Sequence, residues 1–238
     1  MHAGFDVQVG EAAVSPLALQ GPKALDVMRS LAPDVSELER FRWGWTTIGG
    51  EDVLVSRTGW SGEFGYEVFA SDWEPAKRVW RAVRAAADPF GVMVTGVNGT
   101  RAWENGISDI HYGDNLGLTP LEAGLMRSVD LEKTAPFIGI EQLTRQRDIG
   151  PAHGPVAVAI EGDDLPEHRE FWPVTRPGGG ETVGSTWQVF YSYALEQHAA
   201  NAIVETGIRP GDRLEVVTPD GARGCVVVPR PISSTGHG

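Results

Sequence analysis

Apolar and polar positions in the first part of the chain alternate in short segments that predict β-strands interleaved with helices. Gly49 and Gly50 separate two such segments as a hairpin turn does. Leu25, Met28 and Leu31 instead share one helical face. The predicted strands are residues 14–19, 41–48, 52–57, 66–70 and 92–97. Helices are predicted to start at Pro22, at Ser71 and near Thr100. In the second helix, Ser71 and Glu74 form a capping box, and the apolar face consists of Ala76, Val79, Trp80 and Val83. This alternation is typical of an α+β or α/β body.

The pattern changes after Gly150, where short apolar strands follow one another with glycine- and proline-rich turns between them. The predicted strands here are residues 156–160, 182–191, 214–217 and 225–228. Strands spaced in this way favour a small antiparallel β-barrel or sandwich. We therefore predict two domains, residues 1–150 and residues 151–238, with the boundary at Gly150-Pro151.

Composition and charge narrow the classes of function. The 238 residues are 41% hydrophobic, enough for one large domain or two small ones. The formal net charge of -12 argues against nucleic-acid or anionic-membrane partners, which need clustered Lys and Arg, although a local basic pocket for a small anion stays open. Cys225 is the only cysteine, which indicates a reducing compartment. With no long apolar stretch and no signal-peptide pattern, we expect a cytoplasmic protein.

Four sequence segments, in this order, resemble the glycine-cleavage T-protein superfamily, which contains aminomethyltransferases and tetrahydrofolate-dependent demethylases. The segments are LALQGPK at residues 17–23, RTGWSGEFGYEV at 57–68, GVNGTRAWENGISDIHY at 96–112 and TPLEAGL at 119–125. The resemblance implies an α+β fold: a T-protein-like folate-binding α/β domain, incomplete at its N-terminus, followed by the small antiparallel β-barrel.

The resemblance also implies that the chain binds tetrahydrofolate and transfers a one-carbon unit. The pterin edge presents a ring N–H and an amine side by side, and one carboxylate can accept both. In the family this carboxylate is the second glutamate of the 57–68 segment, here Glu67, although a glutamate alternating in a strand can also be a solvated surface group. Trp60 and Tyr66 are expected to wall the pterin, and Gly59, Gly62 and Gly65 to let the backbone pass close to a flat ring.

The chain departs from the aminomethyltransferase pattern at Asn98, where those enzymes carry an arginine. Asn98 cannot give a charged, two-pronged contact, and together with Arg101 it resembles the folate-dependent demethylase branch. We therefore expect transfer of a methyl group from an O-, S- or N-methyl donor to tetrahydrofolate. A weak leaving group needs a proton donor or a cationic neighbour, and Arg101, His111 and Tyr112 are the candidate catalytic residues. Arg101 can alternatively pair with Glu104 at i, i+3 spacing.

Family members usually carry a further segment before the point where this chain begins, and that segment holds part of the pocket. A domain lacking it leaves apolar sheet edges uncovered, so we expect a partner chain or a self-dimer that covers the missing portion. Two other functions stay open: an aminomethyltransferase of glycine cleavage, and a non-catalytic folate-binding subunit that needs a partner chain. The histidines show no metal-ligand spacing, and no Gly-x-Gly-x-x-Gly run joins a strand to a helix, so the sequence supports neither a metal hydrolase nor a dinucleotide enzyme.

Overall fold

The computed structural model describes residues 6–8, 10–96, 99–107, 117–165 and 171–232. The chain divides into two compact units, one containing the residues up to 97 and the other residues 98–236. The barrel strands begin at His153, close to the predicted boundary at Gly150-Pro151, but the segment before them belongs to the second unit. The predicted boundary between two folding domains stays a prediction.

The first unit is a four-stranded antiparallel sheet, in the order β1-β4-β3-β2, with helices packed on one face. Its elements are β1 (Ser15–Gln20), α1 (Ala24–Leu31), α2 (Pro33–Ser36), β2 (Trp43–Ile48), β3 (Glu51–Ser56), β4 (Gly65–Ala70) and α3 (Trp73–Ala87). The core between sheet and helices is aliphatic, with Val27, Met28, Val53, Val68 and Val79 almost completely buried. These residues recur at helical spacing in α1 and α3 and at every second position in the strands, as the sequence pattern predicts.

Gly49 and Gly50 set the register of the β2–β3 hairpin. Both have positive φ, 61° and 80°, which a two-residue type I′ turn requires at its two central positions. The turn places Trp45 opposite Leu54 and Trp43 opposite Ser56. A one-residue slip would exchange the core and solvent faces of both strands, so this turn decides which side chains are presented outward.

We call the side of this sheet that faces away from the helices the outer face. The cross-strand pairs place the following residues on it: Pro16, Ala18, Gln20, Trp43, Trp45, Leu54, Ser56, Glu67 and Phe69. Trp43 and Trp45 are 60% and 64% exposed. The outer face is therefore largely apolar, with the Glu67 carboxylate among its few charged groups.

The second unit contains α4 (Gly99–Glu104), α5 (Ile140–Ile149) and a closed antiparallel barrel. The barrel strands are β5 (His153–Ile160), β6 (Pro173–Thr175), β7 (Thr182–Ser192), β8 (Gln197–Glu205), β9 (Arg213–Thr218) and β10 (Gly221–Val228), in the spatial order β10-β5-β8-β7-β6-β9. The irregular segment after β10 returns to α4, where Ile232 N–H donates to the Glu104 carbonyl at 2.8 Å. The predicted α+β class with a C-terminal antiparallel barrel is confirmed.

Three local predictions need correction. Residues 92–96 form no strand, and the backbone groups of Val92 bond to α3 instead of a neighbouring strand: its N–H donates to the Ala87 carbonyl and its carbonyl accepts from Arg84. The cap of α3 is Asp72 rather than Ser71, since the Asp72 carboxylate accepts from the Trp73 N–H. Trp80, predicted on the apolar face of α3, is 44% exposed. Strands β6 and β8 were not predicted.

Candidate functional site

Glu67 lies in the middle of the first unit's sheet, on the outer face. Its strand, β4, is flanked by β1 and β3, so Glu67 has Ala18 on one side and Ser56 on the other. The side chain is half-buried. A central position in a sheet keeps the backbone of Glu67 fixed, while the outward direction leaves its carboxylate accessible from the face opposite the helices.

The Glu67 carboxylate is oriented by hydroxyl groups at the end of β3. Thr58 Oγ1 donates to Glu67 Oε2, and the Ser56 and Thr58 hydroxyl oxygens are 2.5 Å apart. Each carboxylate oxygen can accept two hydrogen bonds. The Thr58 contact therefore restricts the rotamer of Glu67 while leaving acceptor capacity on both oxygens.

The loop that joins β3 to β4 is held by the side chain of Gln20. Its Nε2 donates to the Thr58 and Tyr66 carbonyls at 3.2 and 3.1 Å, and its Oε1 accepts from Ser61 Oγ at 2.8 Å. A Cβ at Gly59 or Gly65 would overlap the Gln20 carboxamide. The close approach that these two glycines were predicted to allow is therefore made here by Gln20.

Tyr66 and Trp60, both predicted to wall a pterin, lie in different environments. Tyr66 is fully buried on the helix side of the sheet, where its hydroxyl donates to the Ser36 carbonyl. Burial raises the pKa of the Tyr66 phenol, an effect that the nearby Arg57 guanidinium opposes. Because consecutive strand residues point to opposite faces, the structure separates Tyr66 from Glu67. Trp60 lies in the β3–β4 loop and is 40% exposed.

Glu104, in the second unit, is a carboxylate with a different character. It is 2% exposed, and Oε1 accepts from Ser192 Oγ at 2.7 Å and from the Ala194 N–H at 3.0 Å. Oε2 accepts from Arg101 Nη1 at 3.1 Å. Burial by itself raises the pKa of the Glu104 carboxyl, but the hydrogen bonds from Ala194, Ser192 and Arg101 outweigh it, so this pKa lies below its ordinary value. Glu104 thus ties α4 to the turn that follows β7.

Arg101 and Tyr193 line a cavity of about 320 Å³ in the second unit, together with Thr100, Glu104 and Ala194. The Tyr193 ring packs edge-to-face against Tyr191, with centroids 5.4 Å apart, and Tyr191 packs in the same way against His198 at 5.5 Å. Arg101 makes the i, i+3 pair with Glu104 that its spacing allowed. Its charge is therefore balanced by a buried carboxylate rather than presented alone.

Three other predicted site residues, Asn98, His111 and Tyr112, lie outside the described residues. In the fourth motif, Glu122 accepts from the Thr119 N–H and hydroxyl at 3.1 and 3.0 Å, a local capping arrangement. Burial raises the pKa of the Glu122 carboxyl, but the hydrogen bonds from Thr119 outweigh it, so this pKa too lies below its ordinary value.

Sequence reasoning missed Gln20, Thr58 and Ser192 as site residues. Gln20 and Thr58 both lie inside motif segments, so the motifs could have indicated them as site residues although their residue types alone could not. Ser192 carried none, because it meets Glu104 across 88 residues of chain. Within the described residues, no cluster of His, Cys, Asp and Glu side chains could hold a metal ion, and no helix is long and apolar enough to cross a membrane.

Comparison with known families gives a direct match. The GCVT N-terminal domain family matches residues 2–133, more than half of the chain. The matched range contains all four motif segments and both Glu67 and Glu104.

Two named relatives and a solved structure extend the match over most of the chain. Dimethylsulfoniopropionate demethylase DmdA of Ruegeria pomeroyi is 32% identical over 224 residues, covering 92% of this chain and 60% of the relative. The aminomethyltransferase of Moorella thermoacetica is 34% identical over 220 residues, covering 90% and 58%. The crystal structure of glycine cleavage system aminomethyltransferase T from Bartonella henselae superposes with a TM-score of 0.73 at 18% identity, covering 94% of this chain and 61% of that one. The chain thus spans about 60% of the length of these proteins.

Proposed function

Since the chain belongs to the glycine-cleavage T-protein superfamily, we propose that it binds tetrahydrofolate through Glu67 and takes part in transferring a one-carbon unit to or from it. The observation that carries the proposal is the half-buried Glu67 carboxylate, held by Thr58 on the outer face of the sheet, inside the motif that places the pterin-binding glutamate in the family.

The residues around Glu67 fit a pterin. A carboxylate with one hydroxyl contact can still accept two parallel hydrogen bonds from the ring N–H and the amine. The neighbouring outer-face residues Leu54 and Phe69 are apolar and partly buried, which suits the faces of a flat ring. Trp60, in the loop beside Thr58, is a further candidate wall. Tyr66 is not, because it belongs to the core.

The contribution of the chain to transfer is binding and orientation. Tetrahydrofolate, when bound, supplies the nitrogen that carries the one-carbon unit. Glu67 and Thr58 would fix the ring, and holding two reactants in line can lower a barrier by several kcal/mol, up to about 7–11 in favourable cases. Arg101, His111 and Tyr112 stay the proposed catalytic residues. Arg101 would act as a positioned cation whose geometry is set by Glu104.

The favoured donor is a small molecule with an O-, S- or N-methyl group, because Asn98 stands where aminomethyltransferases carry an arginine. The similarity to a dimethylsulfoniopropionate demethylase agrees with this choice. An aminomethyltransferase of glycine cleavage is the second candidate, favoured by relatives of that name at similar identity. A folate-binding subunit that acts only with a partner chain is the third.

Calorimetric titration with tetrahydrofolate tests the binding step. We expect saturable binding that Glu67→Gln weakens, because a hydrogen bond to a charged acceptor contributes about 1.5–3 kcal/mol, roughly ten- to hundredfold in Kd. Glu74→Gln is the matched control, since it removes the same charge from an exposed position of the same unit. Equal affinity of the wild type and Glu67→Gln would remove Glu67 from the site.

Product analysis separates the three functions once binding is established. The chain is incubated with tetrahydrofolate and, in parallel, with dimethylsulfoniopropionate, with methoxyaromatic acids and with an aminomethyl-loaded lipoyl carrier protein. Methylated folate from the first two identifies a demethylase, and methylene-folate from the third an aminomethyltransferase. Binding without turnover in all three reactions favours the subunit that needs a partner.

A further inference from the structure

Strand β2 is an exposed edge of the first unit's sheet and carries two exposed tryptophans. It ends the order β1-β4-β3-β2, and in the part of the chain that the structure describes its ladder partner is β3 alone. Trp43 and Trp45 point from it to the outer face and are 60% and 64% exposed. Exposed apolar edge strands readily pair with a further strand.

The backbone groups that β2 leaves available belong to the same residues as the exposed side chains. Arg57 N–H donates to the Arg42 carbonyl at 2.8 Å, whereas Arg42 N–H donates to the Glu39 carbonyl, so this hydrogen-bonded position of the hairpin keeps only one of its two bonds. Hydrogen-bonded positions alternate with positions whose peptide groups point away from the partner strand. The N–H and C=O groups of Trp43, Trp45 and Thr47 therefore point to the open edge.

The opposite edge of the sheet is protected, whereas β2 is not. Strand β1 contains Pro16, which lacks an N–H and is one of the residues by which proteins blunt sheet edges. Strand β2 has the sequence WGWTTI, with no proline and no charged side chain. An added strand would therefore find its hydrogen-bonding partners at β2.

We propose that two copies of this chain associate by antiparallel pairing of β2 with β2, with the two-fold axis at Trp45. In such a pairing, the N–H and C=O groups that point to the open edge of one strand must face those of the other strand. Trp43, Trp45 and Thr47 of one copy can therefore pair only with Trp43, Trp45 and Thr47 of the other. Placing Trp45 opposite Trp45 of the partner subunit, and Trp43 opposite the partner's Thr47, uses all three residues. The register that places Trp45 opposite the partner's Thr47 also sets Trp43 against the turn at Gly49, and so loses part of the ladder.

The charges at the ends of β2 suit this antiparallel arrangement. Arg42, just before the strand, lies 4.0 Å from Glu39, and Glu51, just after the turn, pairs with Arg78. Outside these two ion pairs stand exposed Arg40 at one end and, at the other, exposed Asp52, which accepts from Thr47 Oγ1 at 3.2 Å. Antiparallel pairing brings Arg40 of each strand to the end of the other strand that carries Asp52. Opposite charges arranged in this way set register and orientation, more than they add affinity.

The dimer would join two sheets edge to edge and bury the tryptophans against each other. Glu67 lies on β4, separated from the junction by β3, so its outer face stays accessible. The dimer and the folate site are therefore independent, so a result that rules out one proposal does not rule out the other.

Light scattering combined with size exclusion measures the association of the 238-residue chain. The wild type is expected at twice the 25.7 kDa chain mass at micromolar concentration. Trp45→Lys is expected to shift it to the monomer. Trp73→Lys is the matched control, because Trp73 is 65% exposed but lies on α3, and it should leave the dimer intact. Thermal melting of both variants checks that they fold.

Cysteine substitution tests the register. In the proposed pairing, the Cα atoms of residue 45 in the two subunits lie about 5.5 Å apart, within the roughly 4.4–6.8 Å that a disulfide spans. Trp45→Cys should therefore give a covalent dimer on mild oxidation. Trp43→Cys should not, since the two copies of residue 43 would be about 14 Å apart along the strands. Cys225 does not interfere, because it is completely buried and burial raises its pKa to about 12.

A monomeric wild type, or a Trp45→Lys variant that stays dimeric, would overturn the proposal and indicate a different occupant of the edge. Crosslinking of Trp43→Cys as fast as Trp45→Cys would overturn the register and with it the two-fold axis at Trp45.

Discussion

Each of the two units holds a carboxylate that contacts β-strand residues, Glu67 on β4 and Glu104 at the end of α4, and the two carboxylates are used in opposite ways. Glu104 is enclosed beside a closed barrel and receives hydrogen bonds from a hydroxyl, a peptide N–H and a guanidinium. Glu67 lies on the outer face of an open sheet and, among the described residues, receives one from Thr58. A buried carboxylate that receives hydrogen bonds from the protein on both oxygens stabilises the fold, whereas a half-buried one with a single protein donor can recognise a ligand.

The architecture explains the difference. A barrel closes its ladder and leaves no strand edge to pair with a ligand or another chain. The open sheet has an uncovered face and an uncovered edge, which is where Glu67 and β2 lie. Recognition of the pterin and of another chain is therefore expected in the first unit, whereas Glu104 in the second unit is a structural anchor that also fixes the proposed catalytic residue Arg101.

The largest effect that tests this contrast is the loss of the Glu104 anchor. Glu104→Ala leaves the Ser192 hydroxyl and the Ala194 N–H without their acceptor and should destabilise the second unit by about 3 kcal/mol. Part of the Arg101 guanidinium is exposed, so water can replace the lost carboxylate. The expected destabilisation therefore lies at the low end of the range for breaking a buried ion pair. Urea unfolding, with hydrogen exchange of peptides from α4 and β7, measures it. Glu67→Ala serves as the comparison, and a similar loss there would break the contrast.

A smaller effect is expected at the Gln20 support of the Glu67 loop. Gly59→Ala places a methyl group against the Gln20 carboxamide and should cost about 1–3 kcal/mol through overpacking. The double substitution with Gln20→Ala should recover part of this, because the clash is removed. Thermal unfolding of the two single variants and the double variant gives the coupling. Additive losses would mean that Gln20 and Gly59 do not constrain each other.

The sequence identified elements and motifs better than it identified which side chains meet. The hairpin at Gly49-Gly50 was predictable because both residues must adopt positive φ. Strand β8 was not, because its QHAANAIVE sequence is rich in alanine, which has low β propensity. Glu67 was predictable from its motif, whereas Tyr66 was assigned to the same pocket although strand alternation directs it to the core.

The role of Glu104 could not have been predicted, for a different reason. Its partners Ser192 and Ala194 are 88 and 90 residues away in the chain, and no local pattern reports a contact over that separation. Arg101, by contrast, was predictable as its partner from i, i+3 spacing alone. Local periodicity thus shows which residues share a face of a helix or strand, whereas the fold determines which residues distant in the chain contact that face.

Thr58 should affect affinity for tetrahydrofolate more than it affects folding. Thr58→Val removes the hydroxyl that orients Glu67 and should weaken binding roughly three- to tenfold, while the free energy of unfolding changes by about 1 kcal/mol or less. Thr58→Ser keeps the hydroxyl and should restore the affinity. Calorimetry and thermal unfolding of both variants provide the two readouts. Equal weakening by serine and valine would show that Thr58 acts through packing rather than through its hydrogen bond.

The smallest expected effect is a difference in acid sensitivity that Glu104 alone produces. Its pKa in the folded chain lies below the ordinary 4.5, so the folded state binds fewer protons than the unfolded state as the pH falls. Its contribution is therefore present above the ordinary pKa and is lost as the pH drops through the lower, folded one. The free energy of unfolding of the wild type should approach that of Glu104→Gln over this interval, as measured by urea titration at successive pH values.

Other carboxylates with lowered pKa values, such as Glu122, titrate in both proteins and cancel in the difference. Glu74→Gln, in the first unit, should leave hydrogen exchange in α4 and β7 unchanged at every pH. Parallel profiles for the wild type and Glu104→Gln would mean that the hydrogen bonds to Glu104 do not favour its charged form, and the contrast between the two carboxylates would then rest on burial alone.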